Sequence, residues 1–260
     1  MLAASLVLGF GGQAALAQTN IAPRANQILA DACTYMAQTP FFGLTAEVWQ
    51  EHVNEAGEKL QFTRVVTMEV QRPNRLHLEI QSPHSARGFW YDGQRLTILD
   101  HKDNLFSTAP MPGTLDAMVD TAHDRFGIDL PLVDLALSEP YRNATARVEQ
   151  GRYLGLSQAM GFTCHHLAFT QDNIDWQVWI EDGPQPWIRK FVITHKNEPG
   201  SPEFTALIRS WDTTHRIADS NFAFLPPRGA TRIDMREDQS MPNPNERREI
   251  EPSNPSPTGR

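Results

Sequence analysis

The chain has 260 residues, with 23 Lys and Arg against 31 Asp and Glu, a formal net charge of −8. That balance excludes a nucleic-acid binder, because phosphate recognition needs a clustered basic face and the sequence shows none. The length leaves room for one large β domain or two small ones.

Residues 1–17 contain no charged side chain, run apolar from Leu2 to Phe10 and finish in Ala15-Leu16-Ala17 ahead of Gln18. This small-x-small ending predicts a cleaved secretory signal peptide. A membrane anchor is the competing reading. Gly9, Gly11, Gly12 and Gln13 interrupt the run, which falls short of the roughly 20 apolar residues that span a bilayer. No cysteine stands immediately after the cleavage point, where Gln18 lies, and no later stretch is apolar over a spanning length. The mature protein is therefore expected in the periplasm, neither lipid-anchored nor membrane-spanning.

Pro23 to Gln38 carries Ile28, Leu29, Ala32, Tyr35 and Met36 on one stripe, with Pro23 suited to a first helical turn and Thr39-Pro40 to a stop. Six strands are expected next, at 42–53, 60–71, 75–81, 88–91, 95–100 and 105–108. They are separated by turn formers such as Arg72-Pro73-Asn74 and Asp92-Gly93. Residues 75–81 alternate without a fault, Leu76, Leu78 and Ile80 against His77, Glu79 and Gln81.

The middle of the chain changes period. Thr114 caps a predicted helix with Leu115, Met118, Val119 and Ala122 at helical spacing, and Asp129-Leu130-Pro131 starts a shorter one through Leu137. Strands resume at 147–156, 162–169, 175–180, 187–194 and 204–211, with a last short strand expected at 221–225. From Glu237 the chain places Pro242, Pro244, Pro252, Pro255 and Pro257 among polar residues. Such a segment cannot offset its ordering entropy by burial. Residues 237–260 are expected to be disordered, and 20–236 to form a single domain.

Helix, meander, helices, meander is an α+β layout with about ten or eleven strands, a size at which open sheets curl or split. The expected architecture is a large curved antiparallel sheet, an incomplete β-barrel, with helices covering its concave side or mouth.

Candidate chemistry is sparse. Cys164, His165 and His166 are adjacent on a strand, so side-chain alternation lets at most two of them share a metal, and no second ligand cluster exists. Gly155-Leu156-Ser157-Gln158-Ala159 only approximates a nucleophile elbow and lies between strands. Phosphate-loop, dinucleotide and zinc-protease motifs are missing. The reading is of a protein that is not an enzyme and needs no metal or cofactor. Cys33 and Cys164 are a candidate disulfide, worth about 4 to 5 kcal/mol in the chain-entropy model; two buried thiols that never meet are the alternative.

Aromatics weigh more. Trp49, Trp90, Trp176, Trp179, Trp187 and Trp211 all lie on or beside expected strands, where core packing is the ordinary role. Trp176 and Trp179, three apart, must face opposite sides of their strand. The sharper reading is that some aromatics line an apolar cavity, helped by adaptable methionines such as Met36, Met68 and Met118.

The strand Phe162 to Phe169, the segment Asp175-Trp176-Gln177-Val178-Trp179-Ile180-Glu181 and the run Pro186 to Thr194 resemble a family of predicted periplasmic proteins, domain of unknown function 2092. Arg72-Pro73-Asn74-Arg75-Leu76, Phe89-Trp90-Tyr91-Asp92-Gly93 and Phe222-Ala223-Phe224-Leu225-Pro226-Pro227-Arg228-Gly229-Ala230 look like the same pattern, so the likeness runs from about Asn26 to Ile233. Cys33 and the Pro-rich tail lie outside that pattern. The resemblance implies kinship with the fold of the periplasmic lipoprotein carriers, an incomplete barrel with an apolar cavity for acyl chains, and it carries no catalytic residues.

The functional expectation is a periplasmic carrier or binder of a lipid or lipidated protein. Phe62, Met68, Leu78, Phe89, Trp176 and Val178 are the candidate lining residues, and Leu115, Met118 and Val119 a candidate lid. The alternative is a non-enzymatic envelope interaction module, a stress sensor or assembly factor whose partner is another envelope protein and whose cavity is filled by its own helices.

Overall fold

In the computed structural model, which describes residues 20–237, two antiparallel meanders are fused into one curved sheet. The expected signal peptide and all but the first residue of the expected tail lie outside the described residues. A two-residue strand β1 (Asn20–Ile21) and helix α1 (Pro23–Gln38) precede the first meander: β2 (Phe41–Val53), β3 (Lys59–Gln71), β4 (Arg75–Gln81), β5 (Ala86–Tyr91), β6 (Arg95–Asp100) and β7 (Leu105–Pro110). Helix α2 (Leu115–Phe126), a 3-10 turn at Val133–Ala136 and helix α3 (Pro140–Thr145) come next. The second meander is β8 (Gln150–Ala159), β9 (Phe162–Thr170), β10 (Ile174–Glu181), β11 (Ile188–His195) and β12 (Glu203–Asp212), before a two-residue β13 (Thr231–Arg232).

The order across the sheet is β1-β8-β9-β10-β11-β12-β2-β3-β4-β5-β6-β7-β13. Strand β12, last of the second meander, pairs antiparallel with β2, first of the first. The two-residue strands lie parallel against β8 and β7 at the edges, covering backbone that would otherwise be open to pairing. They raise the total to 13 strands, above the expected ten or eleven. The sheet is open, as expected, with β1 and β13 as its ends.

Period-two alternation sorts the side chains by face. Met68, Leu78 and Phe89 stand in one cross-strand row on the inner face, and all three are buried in the main core. The helices supply the other side of that core. Helix α1 contributes Ile28, Leu29, Ala32 and Met36, and Thr39 ends it by donating its hydroxyl back to the Tyr35 carbonyl at 2.8 Å. In α2 the Thr114 hydroxyl accepts from the Ala117 N–H, a cap worth about 1 kcal/mol. Gly127 closes it in the left-handed region, φ 61°, donating to the His123 carbonyl.

Two predicted elements are corrected. The helix expected over 129–137 is only the 3-10 turn Val133–Ala136, because Leu132 takes φ 65° and breaks any continuous helix; α3 follows, unforeseen. The strand expected at 221–225 is instead a 3-10 turn, Asp219–Phe222, whose Phe222 is fully buried, and the chain regains strand only at β13.

Arg72, at the end of the β3–β4 hairpin, ties the layers together. Its guanidinium donates to the carbonyls of Met36 (3.2 Å) and Thr39 (3.1 Å) at the end of α1, and to those of Leu135 (3.2 Å), Ala136 and Leu137 (3.1 Å) in the 3-10 segment. Burial pulls its pKa down, and Asp116 opposes that.

On the outer face, His77 stacks on Trp90 at 4.9 Å and 21°, and Phe224 packs on the same indole at 5.0 Å. Glu79 sits between His77 Nε2 at 3.1 Å and His101 Nε2 at 2.9 Å. Burial works to raise its carboxyl, but the hydrogen bonds from His77 and His101 prevail and hold it below the ordinary carboxylate range. A lowered carboxyl contributes stability that is present above the unfolded-state pKa, about 4.3 for Glu, and lost as pH falls through the folded value.

Arg72→Met should lower stability by roughly 3 kcal/mol, since it strands several buried carbonyls; urea denaturation showing a loss under about 1 kcal/mol would refute the clasp. Glu79→Gln should be less stable than the parent at neutral pH, with the difference shrinking below about pH 4. Melts across that range would expose an error if the gap stayed constant.

Candidate functional site

Strand alternation places Ile174, Trp176 and Val178 of β10 on the inner face, and the β10–β11 register sets Trp176 opposite Ile193 and Val178 opposite Phe191. Helical spacing brings Leu29, Cys33 and Met36 of α1 onto one stripe facing them. Between these walls lies an open cavity of about 310 Å³, completed by Ile188, Gln171, Leu132, Asp134 and Leu135 around the 3-10 turn, and Pro140, Asn143 and Ala144 of α3. Trp176 is held in place by stacking on Phe169 of β9, ring centroids 4.0 Å apart at 17°.

The cavity is apolar with a few polar groups. Burial pushes the Cys33 thiol up to about 12, so it stays a neutral thiol. Asp134 reaches solvent but is hemmed in by protein; desolvation raises its carboxyl, a backbone hydrogen bond within its own residue opposes the rise, and Asp129 adds to it. The Trp176 Nε1–H is buried without an acceptor among the described residues. No set of three or more His, Cys, Asp or Glu residues able to hold a metal ion occurs among the described residues.

The predicted residues divide. Trp176 and Val178 line this cavity. Met68, Leu78 and Phe89 share its face of the sheet but are packed into the solid core. Phe62 is 52% exposed near the free end of β3, edge-on to His52 at 5.5 Å, and does not line this cavity. Leu115 and Met118 are buried in the core and Val119 packs against it; none of the three lines this cavity, whose roof is the 3-10 turn and α3. Leu115 instead borders a second, polar cavity of about 480 Å³ with Arg72, Asp116, Asp120, Ser138 and Arg142.

Sequence reading missed Phe191 and Ile193, although their alternation was visible, because choosing them required the β10–β11 register. It also missed Leu132, Asp134 and Leu135, which no periodicity marks.

The Cys33–Cys164 pairing is overturned. Both cysteines are free and buried, Cys33 in the main core and Cys164 in a separate outer cluster with Ala159, Trp179 and Val192. The sheet lies between them. Trp179 therefore does face away from Trp176, stacked on His166 at 4.0 Å. His165 points the other way, 3.2 Å from the Tyr153 hydroxyl and 3.1 Å from Asp182.

A family model described as "Predicted periplasmic protein (DUF2092)" matches residues 25–236, and the chain belongs to that family. Among curated proteins none matches the sequence. Similar solved structures include an uncharacterized conserved protein from Thermus thermophilus, with TM-score 0.49 and 10% identity over 81% of this chain and 99% of that one. The Mycobacterium tuberculosis lipoprotein LppX gives TM-score 0.47 and 9% identity over 75% of this chain and 99% of its own. LprF from Mycobacterium bovis gives 0.45 and 12% over 81% and 99%. At TM-scores below 0.5 these likenesses are too distant to transfer a ligand. No helix among the described residues is long and apolar enough to cross a membrane.

A carboxyl raised by folding favours the native state below its unfolded pKa and loses that contribution as pH rises through the folded value. Asp134→Asn should therefore gain stability relative to the parent as pH climbs from about 4 toward 8. Paired thermal melts showing no pH-dependent gain would show that Asp134 is not desolvated.

Proposed function

We propose that this DUF2092 protein is a periplasmic, non-enzymatic binder of an acyl chain, carrying a lipid or a lipidated protein. Residues 1–17, which have the pattern of a signal peptide, would direct export and then be removed. The observation that carries the reading is the open cavity of about 310 Å³ between Trp176, Val178, Phe191 and Ile193 on the sheet and Leu29, Met36 and Leu135 on the helices. Ligand pockets span about 300 to 1,000 Å³, so this volume suits one chain and not several.

Binding of this kind needs no catalytic group. Each methylene moved out of water contributes about 0.8 kcal/mol, and an alkyl chain would meet aromatic and branched aliphatic walls throughout. Helix α3 is six residues long, a short element able to shift at small cost when a chain enters.

A second reading has its own support. Strand β3 pairs with β2 along its whole length, whereas its pairing with β4 begins at Val65. Residues 59–64 thus leave one backbone edge open, beside exposed Leu60 and Phe62. An envelope interaction module would use that edge to accept a strand from a partner protein.

Ala144→Trp, which fills the cavity from α3, should weaken binding of a neutral fluorescent lauroyl amide at least about ten-fold, the loss of two or more buried methylenes. Far-UV circular dichroism should stay native. Unaltered affinity in the filled variant, or empty protein recovered from the periplasm with no probe uptake, would overturn the acyl reading in favour of the interaction module.

A further inference from the structure

The cavity wall says something about the head of the molecule that enters it, and this inference rests on the acyl-binding reading above. Among the lining residues Asp134 is the only carboxylate, and no Lys, Arg or His joins it. Cys33, the other titratable group on the wall, remains a neutral thiol. The basic groups behind the wall are already engaged, Arg72 on the Met36 and Leu135 carbonyls and Lys196 on the Gln171 carbonyl and the Asp175 carboxylate, so a fatty-acid carboxylate would find no basic side chain on the wall and would face a like charge at Asp134.

The remaining polar groups are uncharged. Asn143 and Gln171 line the cavity, and each carries both donors and an acceptor. Trp176 lines it too, and its Nε1–H lacks any acceptor among the described residues. The nitrogen is shielded from the open space; burying a donor without a partner is costly, and a small shift of the wall as a chain enters would let a ligand oxygen relieve it.

We infer that the ligand is a single-chain amphiphile with an uncharged, oxygen-bearing head, an acyl ester or amide, and that Asp134 discriminates against free fatty acids. An acyl group esterified to a lipid backbone and one attached to a protein share this chemistry.

The test compares three probes of matched chain length at about pH 8 by competition with the neutral fluorescent amide: monolauroylglycerol, dodecanoate and dodecyltrimethylammonium. The parent protein should bind the glyceride roughly ten-fold more tightly than dodecanoate. Asp134→Asn should shrink that ratio to about three-fold or less by improving dodecanoate. Trp176→Phe, which keeps an aromatic ring on the wall but removes the donor, should lower glyceride affinity about three- to ten-fold. A lauroylated peptide added as a further competitor separates the two sources of the acyl group: weaker binding than the glyceride assigns a lipid cargo, tighter binding a lipidated protein.

Equal affinity for glyceride and dodecanoate in the parent would overturn the inference, as would a ratio untouched by Asp134→Asn. Tightest binding of the ammonium probe would overturn it as well, by making Asp134 an ion-pairing partner. If none of the three displaces the amide, or the amide itself does not bind, the acyl-binding reading fails and this inference falls with it. Binding without head preference removes this inference alone.

Discussion

The Arg72 guanidinium is where the sheet and the helical layer are held together. Carbonyls at the end of a helix have no partner within it, and here the end of α1 and the 3-10 segment present theirs toward one point. A planar fork with several fixed donors satisfies them at once, as a lysine could not. Arg72 lies on the turn between β3 and β4, far along the chain from either helical segment. Its position therefore determines how α1 and the 3-10 turn sit over the sheet, and these same two elements supply the α1 wall and part of the roof of the apolar cavity.

The inner face is filled in one part and hollow in another, for a local reason. Beneath the helices, Met68, Leu78, Phe89, Leu115 and Met118 interlock in one core. Over β10 and β11 the cover beyond α1 is a single 3-10 turn and a six-residue helix, which present Asp134, Asn143 and Ala144 where larger apolar side chains would close the gap. A void forgoes the dispersion contacts of close packing, and departures of this kind from a well-filled core are found where a protein has a function to serve.

The outer face of the sheet is a second structured surface. Cys164, Trp179 and Val192 form a small core there, with Lys190 over the Trp179 ring at 4.4 Å. Farther along, the segment after β12 is laid across the strands: the Asn221 amide donates to Glu69, and Phe224 packs on Trp90 and Phe106. This strap explains why aromatics alternate onto both faces, a pattern that a sheet with one solvated face would not need.

Residues 75–81 and 175–180 alternate so regularly that their strands, and the separation of Trp176 from Trp179, were legible from the sequence, because period two is a property of the backbone alone. The same holds for α1 and α2, whose caps and stripes are local. The pairing of β12 with β2 was not legible, nor was the register that brings Phe191 and Ile193 beside Trp176, since these join residues far apart in the chain. Nor could local pattern show that Leu132 turns left-handed, that Phe62 stays half exposed or that the sheet divides Cys33 from Cys164. The sequence by itself determined most of the strands, the helices α1 and α2, and which side chains of each element share a face. Only the tertiary structure decided which of those apolar faces meet in a packed core and which surround open space, because packing depends on distances between segments that no short-range periodicity encodes.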